Sequence, residues 1–137
     1  MRVARLHETS VELEVPFHDV DAMRVVWHGH YFKYFELART ALLRARGLDA
    51  GDLVGERYQL VVIESHCRHS SALRYGDRVR ASAWFREHAR RLLIAYELTN
   101  LASGRRAARG HTALATLNLA GELLLETPPE IVRRIIS

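Results

Sequence analysis

One segment of the chain has the spacing of an amphipathic helix, whereas the other apolar segments alternate as strands do. In residues 28–46 the apolar side chains recur every three or four positions, at Tyr31, Phe35, Ala38 and Leu42. The segment has an unusually aromatic first half and no broad polar face, so we expect the helix to be largely buried. A single long helix buries its apolar face most readily on a sheet, which predicts an α+β fold.

Strand patterns lie on both sides of this helix. Before it, residues 10–18 alternate in polarity, and the side chains on one predicted face are Val11, Leu13, Val15 and Phe17. Pro16 cannot donate a ladder hydrogen bond, so this first strand should lie at a sheet edge or carry a bulge. After the helix, a polar loop leads to four further strand-like segments, which are residues 58–69, 77–87, 92–101 and 107–119.

The end of the chain predicts a last strand and a short helix. Leucines 123–125 could add a strand, which gives four or five antiparallel strands after the central helix. Thr127 is placed to cap the short helix, Pro128 to take its first position and Glu130 to complete the capping pattern. At 137 residues, 48% of them hydrophobic, the chain has the size of one domain spanning residues 1–137. The edges of its sheet would need cover, and dimerisation would provide it.

Composition narrows the possible partners and compartments. The net charge of +4 is spread along the chain without the basic block of a nucleic-acid binder, so we expect no nucleic-acid partner. No apolar run approaches the roughly 20 residues of a membrane helix, and the first residues lack a signal-peptide stretch. We therefore expect a cytoplasmic protein without a membrane span. Cys67 is the only cysteine, which excludes an internal disulfide and fits a reducing compartment.

The residues that could carry chemistry lie between the first strand and the helix. Asp19 and Asp21 are two residues apart, and His28 follows at the mouth of the helix. The first amides of a helix are unpaired and carry the positive end of its dipole, so they favour a developing oxyanion. If the loop folds back, Asp21 reaches a carbonyl held there, as a nucleophile or as the base that activates water. Aspartates before helices are also common caps and turn formers, and spacing alone leaves both interpretations open.

This segment resembles the signature of the 4-hydroxybenzoyl-CoA thioesterase-like group of hot-dog proteins. The signature runs aromatic-x-Asp-x-Asp, then Val-Val-aromatic-His, then Tyr-x-x-Tyr-Phe-Glu-x-Ala-Arg, and its residues here are Phe17, Asp19, Asp21, Val25, Val26, Trp27, His28, Tyr31, Tyr34, Phe35, Glu36, Ala38 and Arg39. Arg-Tyr-Gly-Asp at residues 74–77 and Thr-Pro-Pro-Glu at residues 127–130 extend the likeness along nearly the whole chain. The resemblance implies a hot-dog fold, in which a curved antiparallel β-sheet wraps around a long central α-helix. It also implies dimers that join two sheets edge to edge, with active sites at the subunit interface.

The function that the resemblance implies is that of an acyl thioesterase, which hydrolyses a thioester of coenzyme A or of acyl carrier protein. Asp21 would be the nucleophile or general base, and His28 would orient the carbonyl or assist the leaving thiolate. Backbone amides at the helix start would hold the carbonyl oxygen, and aromatic side chains would shape the acyl pocket. The residues expected to bind substrate are Gly29, His30, Tyr31, Tyr34, Phe35 and Arg24. We expect no cofactor, no metal, and a homodimer or homotetramer.

The chain departs from the family pattern at two places beside this site. The family commonly has glycine at the position of Arg24, and a small residue followed by asparagine at the positions of Gly29 and His30. Glycine adopts a positive φ cheaply whereas arginine is strained there, so the loop could follow a different path. Alternatively, Arg24 could meet the anionic part of a substrate or pair with Asp19.

Two other functions stay open on the sequence. Hot-dog dehydratases usually carry a catalytic histidine on the loop before the helix and a carboxylate from the partner chain, whereas here Asp21 precedes His28. A non-catalytic acyl-binding or scaffold protein would result if Arg24 spoils the site. Within a thioesterase, Glu36 or Glu64 could replace Asp21 if that carboxylate faces away.

A group of histidines and the single cysteine offers a further candidate site. His66, Cys67 and His69 alternate on a predicted strand, with His66 on the opposite face from the other two. A shared metal or a reactive thiolate would need these groups to converge. We therefore interpret them as ordinary strand residues.

Overall fold

A computed structural model describes residues 4–52, 54 and 56–137, and in these residues five strands form one sheet beside two α-helices. The elements are β1 (Leu6–Glu14), α1 (Tyr31–Ala45), β2 (Gln59–His69), β3 (Arg78–Glu87), β4 (Leu92–Asn100), β5 (Arg106–Leu117) and α2 (Pro129–Ile136). The strand order is β1-β3-β4-β5-β2, and every neighbouring pair is antiparallel. The predicted α+β hot-dog fold is confirmed.

The face of the sheet that receives α1 follows the period of two in the sequence. In β3 the alternate residues Val79, Ala81, Ala83 and Phe85 are buried, as predicted. On the neighbouring strand β4, Tyr96 stacks on the ring of Phe35 from α1, with the ring centroids 4.6 Å apart. The small residues in this face let the helix come close to the sheet.

Gly110 in β5 leaves room for the ring of Phe35 from α1. A Cβ atom at this position would lie 2.7 Å from the ring of Phe35 and 2.2 Å from the backbone oxygen of His66. Neither neighbour can move away cheaply, because one is a packed ring and the other is strand backbone. Glycine is therefore required for the helix to settle on β4 and β5.

The first strand differs from its prediction in its bounds. It begins at Leu6 and ends before Pro16, and Phe17, which we expected to face the core, is 73% exposed. Pro16 has an extended backbone and precedes a 3-10 turn at Phe17–Asp19, so the strand alternation stops at this proline. The expectation that this strand lies at an edge is confirmed by the strand order.

The central helix is less buried than its sequence suggested. It begins at Tyr31 and not at residue 28, because His28–His30 form a 3-10 turn that leads into it. Its buried side chains are Tyr31, Tyr34, Phe35, Ala38 and Leu42. On the opposite side Phe32 is 39% exposed and Leu37 is 48% exposed, so α1 buries one face only.

At the chain end, one alternative is decided and one prediction is wrong. The leucines after β5 form a single bridge, from Leu123 to Leu117, and no strand, so four strands follow the central helix in the described residues. In α2 the residue before the first turn is Pro128 and not Thr127, whose hydroxyl is buried without a hydrogen-bond partner among the described residues. The second proline fixes the backbone at the first helical position, so the helix starts one residue later than the capping pattern indicated.

The strand β2 lies at the other edge of the sheet and stands away from the helix. The helix α1 packs mainly on β1, β3 and β4. Between the second half of α1 and the first half of β2 a groove of about 380 Å³ remains open, and Val62 and Ile63 of this strand are each about half exposed. None of the helices that the structure describes is long and apolar enough to cross a membrane.

Candidate active site

A short loop between β1 and α1 positions the two aspartates. A bridge between Val20 and Val26 closes the loop, and the Arg24 amide donates to the Asp21 carbonyl at 2.9 Å. Arg24 has a φ of 65°, the left-handed conformation that glycine adopts most easily. The arginine thus adopts the conformation that glycine would favour at this position. Its side chain is exposed to solvent.

The carboxylate of Asp21 is partly exposed, and only one of its two oxygens accepts a hydrogen bond within the described residues. Its Oδ1 atom accepts a hydrogen bond from the Met23 amide at 2.8 Å, as in an Asx turn. Within the described part of the chain, no cation pairs with this carboxylate, and its Oδ2 atom has no hydrogen-bond donor. An ionised carboxylate held by one oxygen, with the other oxygen free, suits a nucleophile or a general base.

Asp19 has the opposite environment. It is 1% exposed, forms an ion pair with Lys33, and accepts a hydrogen bond from the Tyr34 hydroxyl at 2.7 Å. Burial alone would raise the pKa of Asp19, but the Lys33 ammonium and the Tyr34 hydroxyl outweigh it and hold the pKa below its ordinary value. The proposed Arg24–Asp19 pair does not form, because Lys33 occupies the position.

This arrangement also corrects the role expected for Tyr34. Its ring is 1% exposed and its hydroxyl is committed to Asp19, so it cannot line an acyl pocket. Burial and the adjacent carboxylate raise the pKa of Tyr34. His30 is likewise turned towards Asp19, with its Nε2 atom 3.9 Å from the carboxylate. Both residues hold the loop on the helix.

The turn at His28–His30 presents backbone donors at the start of α1. The His30 amide donates to Trp27, but the amides of His28 and Gly29 have no backbone acceptor among the described residues. The ring of Trp27 covers Gly29 so closely that a Cβ atom there would lie 2.2 Å from it. Glycine lets the indole lie against the turn, and two amides stay available to a carbonyl oxygen.

A cleft of about 320 Å³ opens beside this turn. The rings of His28 and Tyr31 border it from the helix, and His69 borders it from the end of β2. The rings of Tyr31 and His69 are 4.5 Å apart between centroids, and the Tyr31 hydroxyl accepts a hydrogen bond from the Leu73 amide. Asp21 is not among the residues that line this cleft. The structure therefore brings His28 and Tyr31 together with a residue that the sequence analysis interpreted as an ordinary strand residue.

His69 is that residue, and its strand explains its position. Cys67 and His69 share the face of β2 that is turned to α1, and the Cys67 Sγ atom lies 3.6 Å from the His69 Nε2 atom. His66 faces the other way and stacks on His111, which agrees with the predicted alternation. Burial raises the pKa of the Cys67 thiol to about 11, so this thiol is not poised as a nucleophile.

The remaining predicted pocket residue, Phe35, lies deeper than the cleft. It is 1% exposed and is packed between Tyr96 and Gly110. It therefore supports the floor below the helix start and does not border the open space.

Comparison with known proteins decides the family. The model of the thioesterase-like superfamily matches residues 15–135. The chain belongs to the thioesterase-like superfamily. This membership confirms the hot-dog thioesterase group predicted from the Asp21 segment, and thioester hydrolysis as the class of reaction.

Individual members of the superfamily cover most of this chain. A Synechocystis protein provisionally named an esterase is 28% identical over 130 residues, which are 93% of this chain and 78% of that protein. The Synechocystis 1,4-dihydroxy-2-naphthoyl-CoA thioesterase has a similar structure, with a TM-score of 0.82, 18% identity and coverage of 94% and 95% of the two chains. A gentisyl-coenzyme A thioesterase has a TM-score of 0.78, 22% identity and coverage of 90% and 98%. These structures share the fold of the superfamily.

Proposed function

We propose that this member of the thioesterase-like superfamily is an acyl thioesterase that hydrolyses an acyl thioester of coenzyme A or of acyl carrier protein. The observation that carries the proposal is the contrast within one loop. One aspartate, Asp21, keeps an oxygen free, and it lies seven residues before the 3-10 turn at His28–His30, whose first two amides have no backbone acceptor among the described residues.

In the proposed reaction, the amides of His28 and Gly29 bind the thioester oxygen. Preorganised donors of this kind contribute about 3 to 4 kcal/mol of transition-state stabilisation in other acyl-transfer enzymes. Asp21 takes a proton from a water molecule whose oxygen attacks the carbonyl carbon, and the C–S bond then breaks to release the thiol and the acid. In the alternative route the Asp21 carboxylate attacks first, and water cleaves the resulting anhydride. The His28 ring orients the carbonyl group.

An aromatic acyl group fits the cleft best. The exposed ring of His69 borders the space beside the helix start, next to the buried ring of Tyr31, and planar acyl groups stack favourably on an aromatic ring. Two of the similar structures are named for aromatic acyl-CoA substrates, dihydroxynaphthoyl-CoA and gentisyl-CoA. We therefore expect an aryl or conjugated acyl-CoA to be cleaved faster than a saturated one of equal length.

The proposal includes a second subunit, which pairs along β2. The strand β2 is an 11-residue edge strand with unpaired backbone groups, and Val62 and Ile63 are exposed on it. Such an edge pairs readily with another strand. Pairing of β2 with its copy would give a homodimer, which could pair again to a homotetramer, and it would close the groove beside α1.

A thiol-release assay tests the proposal. Wild type and Asp21→Asn are compared on benzoyl-CoA, on saturated acyl-CoAs and on acylated carrier protein, and Asp49→Asn is the matched control. Asp49 also accepts a backbone hydrogen bond through Oδ1, at 2.9 Å, but lies beyond the other end of α1. We expect Asp21→Asn to lower kcat about 100-fold or more, in the range of a lost general base, and Asp49→Asn to leave it unchanged. No thioester cleavage by wild type, or full activity of Asp21→Asn, would refute the mechanism.

A further inference from the structure

The end of β2 places an imidazole beside the turn that is proposed to bind the carbonyl. When the C–S bond breaks, an alkyl thiolate leaves, and such a thiolate departs more easily when it receives a proton. Asp21 takes up a proton as water attacks, and it is not among the residues that line the cleft. An acid that borders the cleft would let the C–S bond break without first returning the proton held by Asp21.

His69 is placed to be this acid. Its Nε2 atom lies 3.4 Å from the backbone oxygen of His28, the residue whose amide is proposed to bind the substrate carbonyl. Its ring packs against Tyr31, and the side chain is exposed to the cleft beside the helix start. The sulfur is bonded to the carbonyl carbon, so it comes within reach of this imidazole when the carbonyl oxygen occupies the turn.

The neighbours of His69 favour a proton on its Nε2 atom, the nitrogen nearest to the turn. The His28 carbonyl oxygen can only accept a hydrogen bond, so Nε2 acts as the donor in that contact. The Cys67 thiol, 3.6 Å from the same nitrogen, has a pKa raised by burial and does not take the proton away. The imidazole is thus oriented by a backbone acceptor, as a proton donor in an active site usually is.

We infer that His69 is a catalytic residue, the general acid that protonates the leaving thiolate, an inference that rests on the proposed thioesterase function. The His69 imidazolium gives its Nε2 proton to the sulfur as the C–S bond breaks, and the electron pair of that bond becomes the S–H bond. Asp21 holds the proton taken from water, the product leaves as a carboxylic acid or carboxylate, and solvent restores both groups. His28 then acts through its amide and its ring on the carbonyl, and not as the acid.

The test uses two leaving groups on one acyl group. Benzoyl-CoA releases an alkyl thiolate, which needs a proton, whereas the benzoyl ester of 4-nitrothiophenol releases a stable thiolate, which does not. We expect His69→Gln to lower kcat on benzoyl-CoA about 100-fold and on the nitrothiophenyl ester less than about threefold. His66→Gln is the matched control, because His66 lies on the same strand, is also exposed, and faces the opposite side of the sheet.

Each outcome decides the assignment. Loss on benzoyl-CoA alone supports it, provided that His66→Gln retains activity on both esters. Equal loss on both esters in His69→Gln would show that the residue shapes the cleft and is not the acid, and no loss on either would remove it from the reaction. If Asp21→Asn abolishes cleavage while His69→Gln does not, the proposed function stands and this inference falls. If wild type cleaves neither ester, both fall.

Discussion

Asp19 and Asp21 are separated by one residue, and the protein uses them in opposite ways. Asp19 is fully enclosed, and an ammonium and a phenol hydroxyl satisfy its oxygens. Asp21 is partly exposed and accepts one hydrogen bond, from a backbone amide. Asp19 ends the 3-10 turn at Phe17–Asp19, and its side chain is buried. Asp21 lies in the loop that the bridge from Val20 to Val26 closes, and its side chain is partly exposed. A carboxylate that anchors the loop thus leaves its neighbour free for chemistry.

The largest effect expected from this comparison is on stability. Asp19→Asn removes the negative charge that pairs with Lys33 and accepts the hydrogen bond of Tyr34. We expect it to lower the free energy of unfolding by about 2 to 3 kcal/mol. Asp21→Asn keeps the Oδ1 acceptor of the turn and should change the free energy of unfolding by less than about 0.5 kcal/mol. Urea denaturation of the two variants measures both values. Equal losses would mean that Asp21 is also structural.

A smaller effect is expected in the dependence of stability on pH. The folded-state pKa of Asp19 is lowered, because the hydrogen bonds from Lys33 and Tyr34 outweigh the effect of burial. The stability that this carboxylate contributes is therefore present above its unfolded-state pKa, near 3.8, and is lost as the pH falls through the lower folded-state pKa.

The measurement is a series of urea denaturation curves between about pH 5 and pH 2, the range over which a carboxylate with a lowered pKa loses its charge. Wild type should lose stability more steeply than Asp19→Asn towards the acid end. If the stability of Asp19→Asn depended on pH as steeply as that of wild type, the role assigned to the Asp19–Lys33 pair would be wrong.

The smallest effect concerns the turn that carries Asp21. Arg24 is held at a φ of 65°, which costs an ordinary residue roughly 1 kcal/mol, whereas glycine adopts it freely. Arg24→Gly also makes the unfolded chain more flexible, so we expect a net gain of no more than about 0.5 kcal/mol. Thermal unfolding measures it, and Ala22→Gly in the same loop is the control. A clear loss of stability in Arg24→Gly would show that the arginine side chain contributes contacts of its own.

Much of the fold could be predicted because its signals are local. The alternation that placed Val79 and Phe85 inward, and the helical spacing that buried Phe35, depend only on period and polarity. The bounds of β1 were wrong because Pro16 ended the strand, although the alternation continued through it to Phe17. The capping of α2 failed for a similar reason, since the second proline decided where the helix begins.

The candidate site was less predictable because it depends on contacts between distant segments. Tyr31 and Tyr34 have equivalent helical positions in the sequence, yet one borders the cleft and the other binds Asp19. Lys33 pairs with a residue 14 positions earlier, and His69 meets a turn 41 positions earlier. Only the packing of α1 against the loop and against the end of β2 settles these roles. The motif around Asp21 indicated the region, and the structure shows which of its residues border the cleft.

Trp27 is a natural fluorescent reporter beside the start of α1. Its indole lies on Gly29 and within 5.3 Å, between ring centroids, of both His28 and His30, while remaining about half exposed. The second tryptophan, Trp84, lies under the Arg5 guanidinium on the sheet, far from this turn in the chain. Replacing Trp84 with phenylalanine would leave Trp27 as the single tryptophan, in contact with the residues proposed to receive the carbonyl. Acyl binding could then be followed by emission in real time, without a labelled substrate.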